Sequence, residues 1–319
     1  MRVRCVSHWQ SSRFIEMRDA FAKSLRETAP RYKSILVTGD LGYGVFDEFR
    51  AEFGSRFLNA GITEQSLTSM AAGLSDVGWI PIIYSIANFP TLRNFEQIRN
   101  DIAYPNRHVI VCSVGAGLAY GALGTSHFAI EDIGALRTLP NMRILSPSGP
   151  MATKLALEDA LANPSPTYLR LGKNGEVDLG TEPSSKHTAF QLVTEGSKVG
   201  AVMSTGSIGL RVIRAMENVA SSASFYSIEE LWPPSDELTE LVLSQKRILV
   251  VEEHVKQTGL FSILSELIQS YNGRTQLRSI AVDPLRLVVA GSQEYLRDIS
   301  GLGNDAICDG LGWLDAADW

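Results

Sequence analysis

No run of about 18 consecutive apolar residues occurs in this sequence, so nothing in it reads as a membrane-spanning helix. Cysteine is scarce. The three present, Cys5, Cys112 and Cys308, lie far apart and form no Cys-x-x-Cys pair, which speaks against a disulfide framework or a zinc site. An excess of positive charge is missing too. Against 35 Asp and Glu stand 29 Lys and Arg, and the net charge of −6 leaves no polybasic patch for nucleic acid or a membrane surface. The opening MRVRCVSHWQ has no long apolar stretch, so no secretory signal is expected. These absences lead to a soluble, cytoplasmic protein with reduced thiols. What is present is 319 residues, 45% hydrophobic, enough for two domains that each bury a core. There is no internal repeat.

The first half alternates helix and strand patterns. FIEMRDAFAKSLRETA sets Phe14, Met17, Phe21 and Leu25 on one helical face, closed by Pro30. SILVTGD, RFLNAG, IPIIYS, HVIVCS, MRILSP and TYLRL read as strands. TEQSLTSMAAGL, with Thr63 as N-cap, TLRNFEQIRNDIAY, FAIEDIGALRTL and MATKLALEDALA read as the helices between them. Such alternation implies βαβ units and a mostly parallel sheet covered on both faces. A polar stretch, GKNGEVDLGTEPSSKHTA, then marks a boundary. Beyond it the alternation resumes through RILVVEEH and GLFSILSELIQSY. The expected architecture is α/β, two doubly wound domains over residues 1–180 and 190–319.

Ligands of open parallel sheets sit beyond the carboxyl ends of the strands. Glu64 follows one such end and opens a helix that is apolar on more than one face. A carboxylate there can simply complement the helix dipole. If the helix start is buried, the acid can instead hold a proton near neutral pH and share it with a ring nitrogen.

Three ordered blocks carry a resemblance over nearly the whole chain: NAGITEQSLTSMAAGLSDVGWIPIIYS, RNFEQIRNDIAYPNRHVIV and GALGTSHFAIEDIGALRTLPNMRILSPS. Together they resemble the pyrimidine-binding domain of the transketolase family of thiamine-diphosphate enzymes. RILVVEEHVKQTGLFSILSELI is similar to that family's C-terminal domain. The resemblance implies that Glu64 bonds the cofactor's aminopyrimidine, favouring the imino tautomer that deprotonates the thiazolium carbon. It implies Phe89 as the ring stacked on the aminopyrimidine, although a core role for Phe89 is equally open. His127, in GTSHFAIED, matches a histidine near the reacting carbons. Arg170 and Lys173 end the last strand, where the family often places a cation for a substrate phosphate; simple solvation is the other reading. His8, His108 and His187 receive no role, and His254 only a weak one. Asp40 is assigned no metal.

Two departures qualify the resemblance. Gly115 stands in place of a transketolase histidine, and Ala122 and Leu123 replace an acidic pair. Those groups bond the hydroxyls of sugar-phosphate donors in the family, so a less hydroxylated donor or an unusual acceptor is expected. The diphosphate-binding domain, with its metal motif, is also absent from the sequence. A separate partner chain is therefore expected to supply it, together with Mg2+ or a similar ion, in a heterotetramer with two copies of each subunit. The expected reaction is transfer of a two-carbon ketol unit, in specialised sugar or natural-product metabolism. The alternatives are the β-subunit of a 2-oxo acid dehydrogenase and a non-catalytic regulatory subunit.

Overall fold

The structure, a computed structural model, describes residues 16–173, 176–179 and 185–316. Cys5, His8 and Phe14 lie outside the described residues. Strands β1 (Ser34–Thr38), β2 (Phe57–Asn59), β3 (Ile80–Ile86), β4 (Ile110–Val114), β5 (Arg143–Leu145) and β6 (Thr167–Leu171) pair in parallel. Their sheet is seven-stranded in the order β10-β5-β6-β4-β3-β1-β2, where β10 (Glu230–Trp232) arrives from the second half of the chain and runs antiparallel to β5. β7 (Phe190–Thr194), β8 (Ser197–Ser204), β9 (Ala223–Ile228), β11 (Arg247–Val255) and β12 (Gln276–Val282) form a second sheet, ordered β12-β11-β8-β9-β7 and parallel except for β7. The α/β architecture with mainly parallel sheets is as the alternation implied.

The helices are α1 (Met17–Thr28), α2 (Asp47–Glu52), α3 (Glu64–Asp76), α4 (Phe95–Gln97), α5 (Asp132–Leu136) and α6 (Pro150–Ala162) in the first half. The second half carries α7 (Gly209–Val219), α8 (Asp236–Ser244), α9 (Leu260–Ser270), α10 (Gln293–Arg297) and α11 (Asn304–Asp315). None of the described helices is long and apolar enough to cross a membrane.

β1, β4 and β6 are buried at every position, as continuous apolar strands covered on both faces must be. Met17, Phe21 and Leu25 of α1 face inward, and that face packs on α6. The two halves share one apolar cluster: Val37, Val111 and Ile144 of the first sheet meet Ile228, Ile248 and Leu264 of the second half. β10 adds a polar tie. Glu230 accepts from Arg143 Nε at 2.7 Å and Nη2 at 2.9 Å. His187, which lies in the polar boundary stretch, is held there too, with Nε2 3.5 Å from Glu230 and its side chain 5% exposed.

Two helices are shorter than the pattern predicts. The stretch from 128 to 139 is helical only over α5, because Ala129 exchanges backbone hydrogen bonds of 2.9 Å with Gly117. Phe128 and Ile130 go to one core, Ile133 and Leu136 to the other, and their combined spacing imitates a single helical face. The stretch from 91 to 104 opens as a turn through Asn94, in which Leu92 N–H bonds Asn88 O at 2.8 Å. It is helical only from Phe95, and passes into a π-helix over Ile98–Ala103.

Candidate active site

The ends of β3, β4 and β6 stand level, since Ile86 pairs with Val114 and Val114 with Leu171. Backbone bonds hold the departing loops to this edge. Ala87 N–H donates to Val114 O at 2.7 Å, and the N–H groups of Gly115 and Ala116 both donate to Leu171 O at 2.9 Å. Phe89, the loop from 115 to 127, and Lys173 all leave from there. β2, on the far side of β1 from β3, leads into the turn that delivers Glu64.

Glu64 is the first residue of α3 and only 6% exposed. Thr63 occupies the N-cap position but does not cap: its hydroxyl donates to Ala60 O at 2.8 Å, and no side chain accepts from the first turn. The Glu64 carboxylate does meet another side chain. Its Oε2 accepts from Arg93 Nη1 at 3.2 Å. The Arg93 guanidinium in turn lies 4.1 Å from the centroid of the Phe89 ring. Phe89 meets the His127 ring edge-on at 5.0 Å, and His127 lies 6.3 Å from the ring of Tyr120. The Lys173 ammonium sits 4.4 Å over Tyr120. Glu64, Phe89, His127 and Lys173 thus belong to one continuous cluster, joined by Arg93 and Tyr120. Neither connector was legible in the sequence.

Ser126 Oγ stands 3.0 Å from His127 Nδ1, which leaves Nε2 as the ring nitrogen open to another partner. Tyr120 is half-buried, and burial pushes its phenol up from the ordinary value. Asn88 pins the Phe89 turn to the His127 loop by donating to Phe128 O at 3.1 Å.

Arg170 is the correction. Expected to meet a substrate phosphate, it is 3% exposed and points into the core. Its Nε donates to Asp132 Oδ2 at 2.8 Å and its Nη2 to Ala129 O at 2.8 Å. Tyr168 also donates to Asp132 Oδ2, at 2.5 Å, and His254 Nε2 stands 3.5 Å from Oδ1. Burial alone would raise the Asp132 carboxyl, but Arg170 and His254 outweigh it and hold it well below the usual carboxylate range. His254, fully buried in this group, belongs to the seam between the halves rather than to the cluster around Glu64.

The second half supports the His127 loop through another buried pair. Glu253 Oε1 accepts from Leu118 N at 2.8 Å, while its Oε2 takes Arg297 Nη2 at 2.6 Å. Asp40 is tied to its neighbours: Tyr43 and Asn59 donate to its carboxylate, and those bonds hold its pKa below the ordinary value. Among the described residues no group of three or more His, Cys, Asp or Glu is placed to hold a metal ion.

Comparison with known proteins assigns the chain to a family. The family model described as the pyrimidine-binding domain of transketolase matches residues 13–175. The chain belongs to the transketolase family of thiamine-diphosphate-dependent enzymes. It is 28% identical over 266 residues to one of the subunits of the apulose-4-phosphate transketolase of Actinobacillus succinogenes, covering 82% of this chain and 85% of that one. A solved structure described as a split gene transketolase, inactive beta4 tetramer, superposes with a TM-score of 0.81 at 28% identity, covering 95% of this chain and 98% of that one. The transketolase of Leishmania mexicana shares the fold at a TM-score of 0.79 and 19% identity, and this chain spans 46% of its length.

Proposed function

We propose that this chain is the pyrimidine-side subunit of a two-component transketolase. In this reading it moves a two-carbon ketol unit from a ketose-like donor to an aldehyde or ketone acceptor in the cytoplasm. Residues 1–180 form the pyrimidine-binding domain, and residues 190–319 the C-terminal-like domain. The observation that carries the proposal is that one guanidinium, Arg93, touches both a sheltered carboxylate, Glu64, and an aromatic face, Phe89. A pair that receives one planar N–H donor in this way fits an aminopyrimidine. Thiamine diphosphate, when bound, supplies the nucleophilic carbon and the electron sink.

The residues of this chain do the rest. Glu64 bonds the pyrimidine nitrogen, at a position sheltered from competing water. Phe89 fixes the plane of the ring. His127 exchanges protons with substrate oxygens through Nε2, and the ammonium of Lys173 meets an anionic end of the substrate. Phosphorylated donors are supported by the relative named for apulose 4-phosphate.

The partner requirement is supported by that relative's being one subunit of its enzyme, and by the description of the similar solved structure as inactive. The partner would hold the diphosphate and its divalent ion, in a complex with two copies of each chain. Mixing tests it. Ketol transfer, assayed by coupled oxidation of the product aldose, should be absent for either chain alone and appear in an equimolar mixture. Full activity of this chain alone would refute the proposal.

A further inference from the structure

Arg93 touches Glu64 and Phe89 without being one of the residues expected there. Its backbone is fixed: Gln65 Nε2 donates to Arg93 O at 3.4 Å, and the next residue, Asn94, donates to Thr68 Oγ1 at 2.6 Å. Its side chain is long and 47% exposed, so the tip is free to turn toward solvent while the main chain stays. The tip nevertheless lies on Phe89 and bonds Glu64.

A guanidinium is flat, carries its N–H groups in the plane, and stacks on aromatic faces. An aminopyrimidine offers the same features. A pyrimidine stacked on the ring face that Arg93 covers would have to take the place of the guanidinium. In the chain alone, the arginine also solves a local problem, since Glu64 at 6% exposure would otherwise be a sheltered charge without a counter-ion.

We infer that Arg93 is a built-in occupant of the pyrimidine site, which the coenzyme must displace in order to bind. This rests on the coenzyme-site reading of Glu64 and Phe89 given above. The affinity of the site for a pyrimidine is then reduced by the fraction of time the arginine is out. The chain by itself resists half-bound coenzyme. Contacts made to the diphosphate by the partner add the free energy that moves the arginine aside, which couples loading to assembly.

Calorimetric titration of thiamine diphosphate with magnesium into the complete two-chain complex tests the inference, comparing wild type with Arg93→Met and Arg93→Lys. Arg93→Met, which keeps the apolar stem but has no fork, should bind roughly tenfold more tightly, with Arg93→Lys in between. An Arg93→Met constant equal to or weaker than wild type overturns the inference. A wild-type complex that binds no coenzyme overturns the parent reading itself. A second readout needs no variant to assemble. In the wild-type complex with 15N-labelled arginine, the Arg93 Nε–H resonance should move to the position of a solvated arginine as coenzyme is added. A resonance that stays in place while coenzyme binds also overturns the inference.

Discussion

The ring of Tyr120 fills the volume that a side chain on residue 115 would need. A Cβ built on Gly115 would fall 2.2 Å from Tyr120 Cδ2, and Gly115 holds φ at +102°, a backbone conformation that favours glycine. The substitution of glycine for the family's histidine is thus not an empty space. It lets an aromatic wall stand between His127 and Lys173. Gly115→Ala should cost about 1–3 kcal/mol through backbone strain together with the clash, seen as a lowered urea midpoint. An unchanged midpoint would mean that the loop yields without cost.

Leu123 marks the other departure from the sugar-binding pattern. It is 57% exposed in the turn that leads to His127. Leu123→Asp should raise kcat/KM for an ordinary ketose phosphate several-fold, by giving a donor hydroxyl an acceptor worth roughly 1–3 kcal/mol. No gain in steady-state kinetics would count against a hydroxyl-binding role for this turn.

Arg170 and Lys173 are three residues apart in sequence but differently placed, one buried against Asp132 and the other over the ring of Tyr120. Arg170→Met leaves the Asp132 carboxylate buried without its main cation, at a cost of about 3–5 kcal/mol in chemical denaturation. Lys173→Ala should leave stability within about 0.5 kcal/mol and raise KM for a phosphorylated substrate roughly tenfold at nearly constant kcat. A stable Arg170→Met with only a raised KM would reverse the assignment.

The tie between the halves predicts a pH dependence. Burial opposes ionisation of Glu230, but Arg143, with His187, overrides it and brings the carboxyl down to about 2. Since this folded-state value lies below the ordinary 4.5, the contribution is complete above that pH and is lost as pH falls toward about 2. Glu230→Gln should therefore destabilise the chain by ~2–3 kcal/mol at pH 7, with the difference shrinking steadily below pH ~4.5. Urea midpoints across that window measure it, and a constant difference would assign the loss to packing.

Most of the first sheet could be read from the sequence because its strands are local apolar runs such as SILVT and IVCSV, bounded by clear breaks. β10 could not. It is a three-residue strand, and its pairing of Glu230 with Leu145 joins residues that no local pattern connects. β12 and α11 escaped for another reason: QLRSIAV is only half-buried, and NDAICDGLGWLD hides its apolar face behind two glycines.

Glu64, Phe89, His127 and Lys173, singled out by motif position, come together in the fold. Arg93 and Tyr120 could not be read from the sequence, since only the folded turn brings a guanidinium onto Phe89 and only a bare Gly115 admits the phenol. Arg170 misled because a cation at a strand end looks the same in sequence whichever face it takes. The buried Asp132 on α5 is what claims it.

The central claim is that Glu64 drives removal of the proton from the coenzyme's thiazolium carbon. Exchange of that proton for deuterium, followed by quenched-flow NMR in the complete two-chain complex, tests it most directly. Glu64→Gln should slow the exchange by about 10²-fold or more while coenzyme still binds. Exchange at the wild-type rate in that variant would contradict the account.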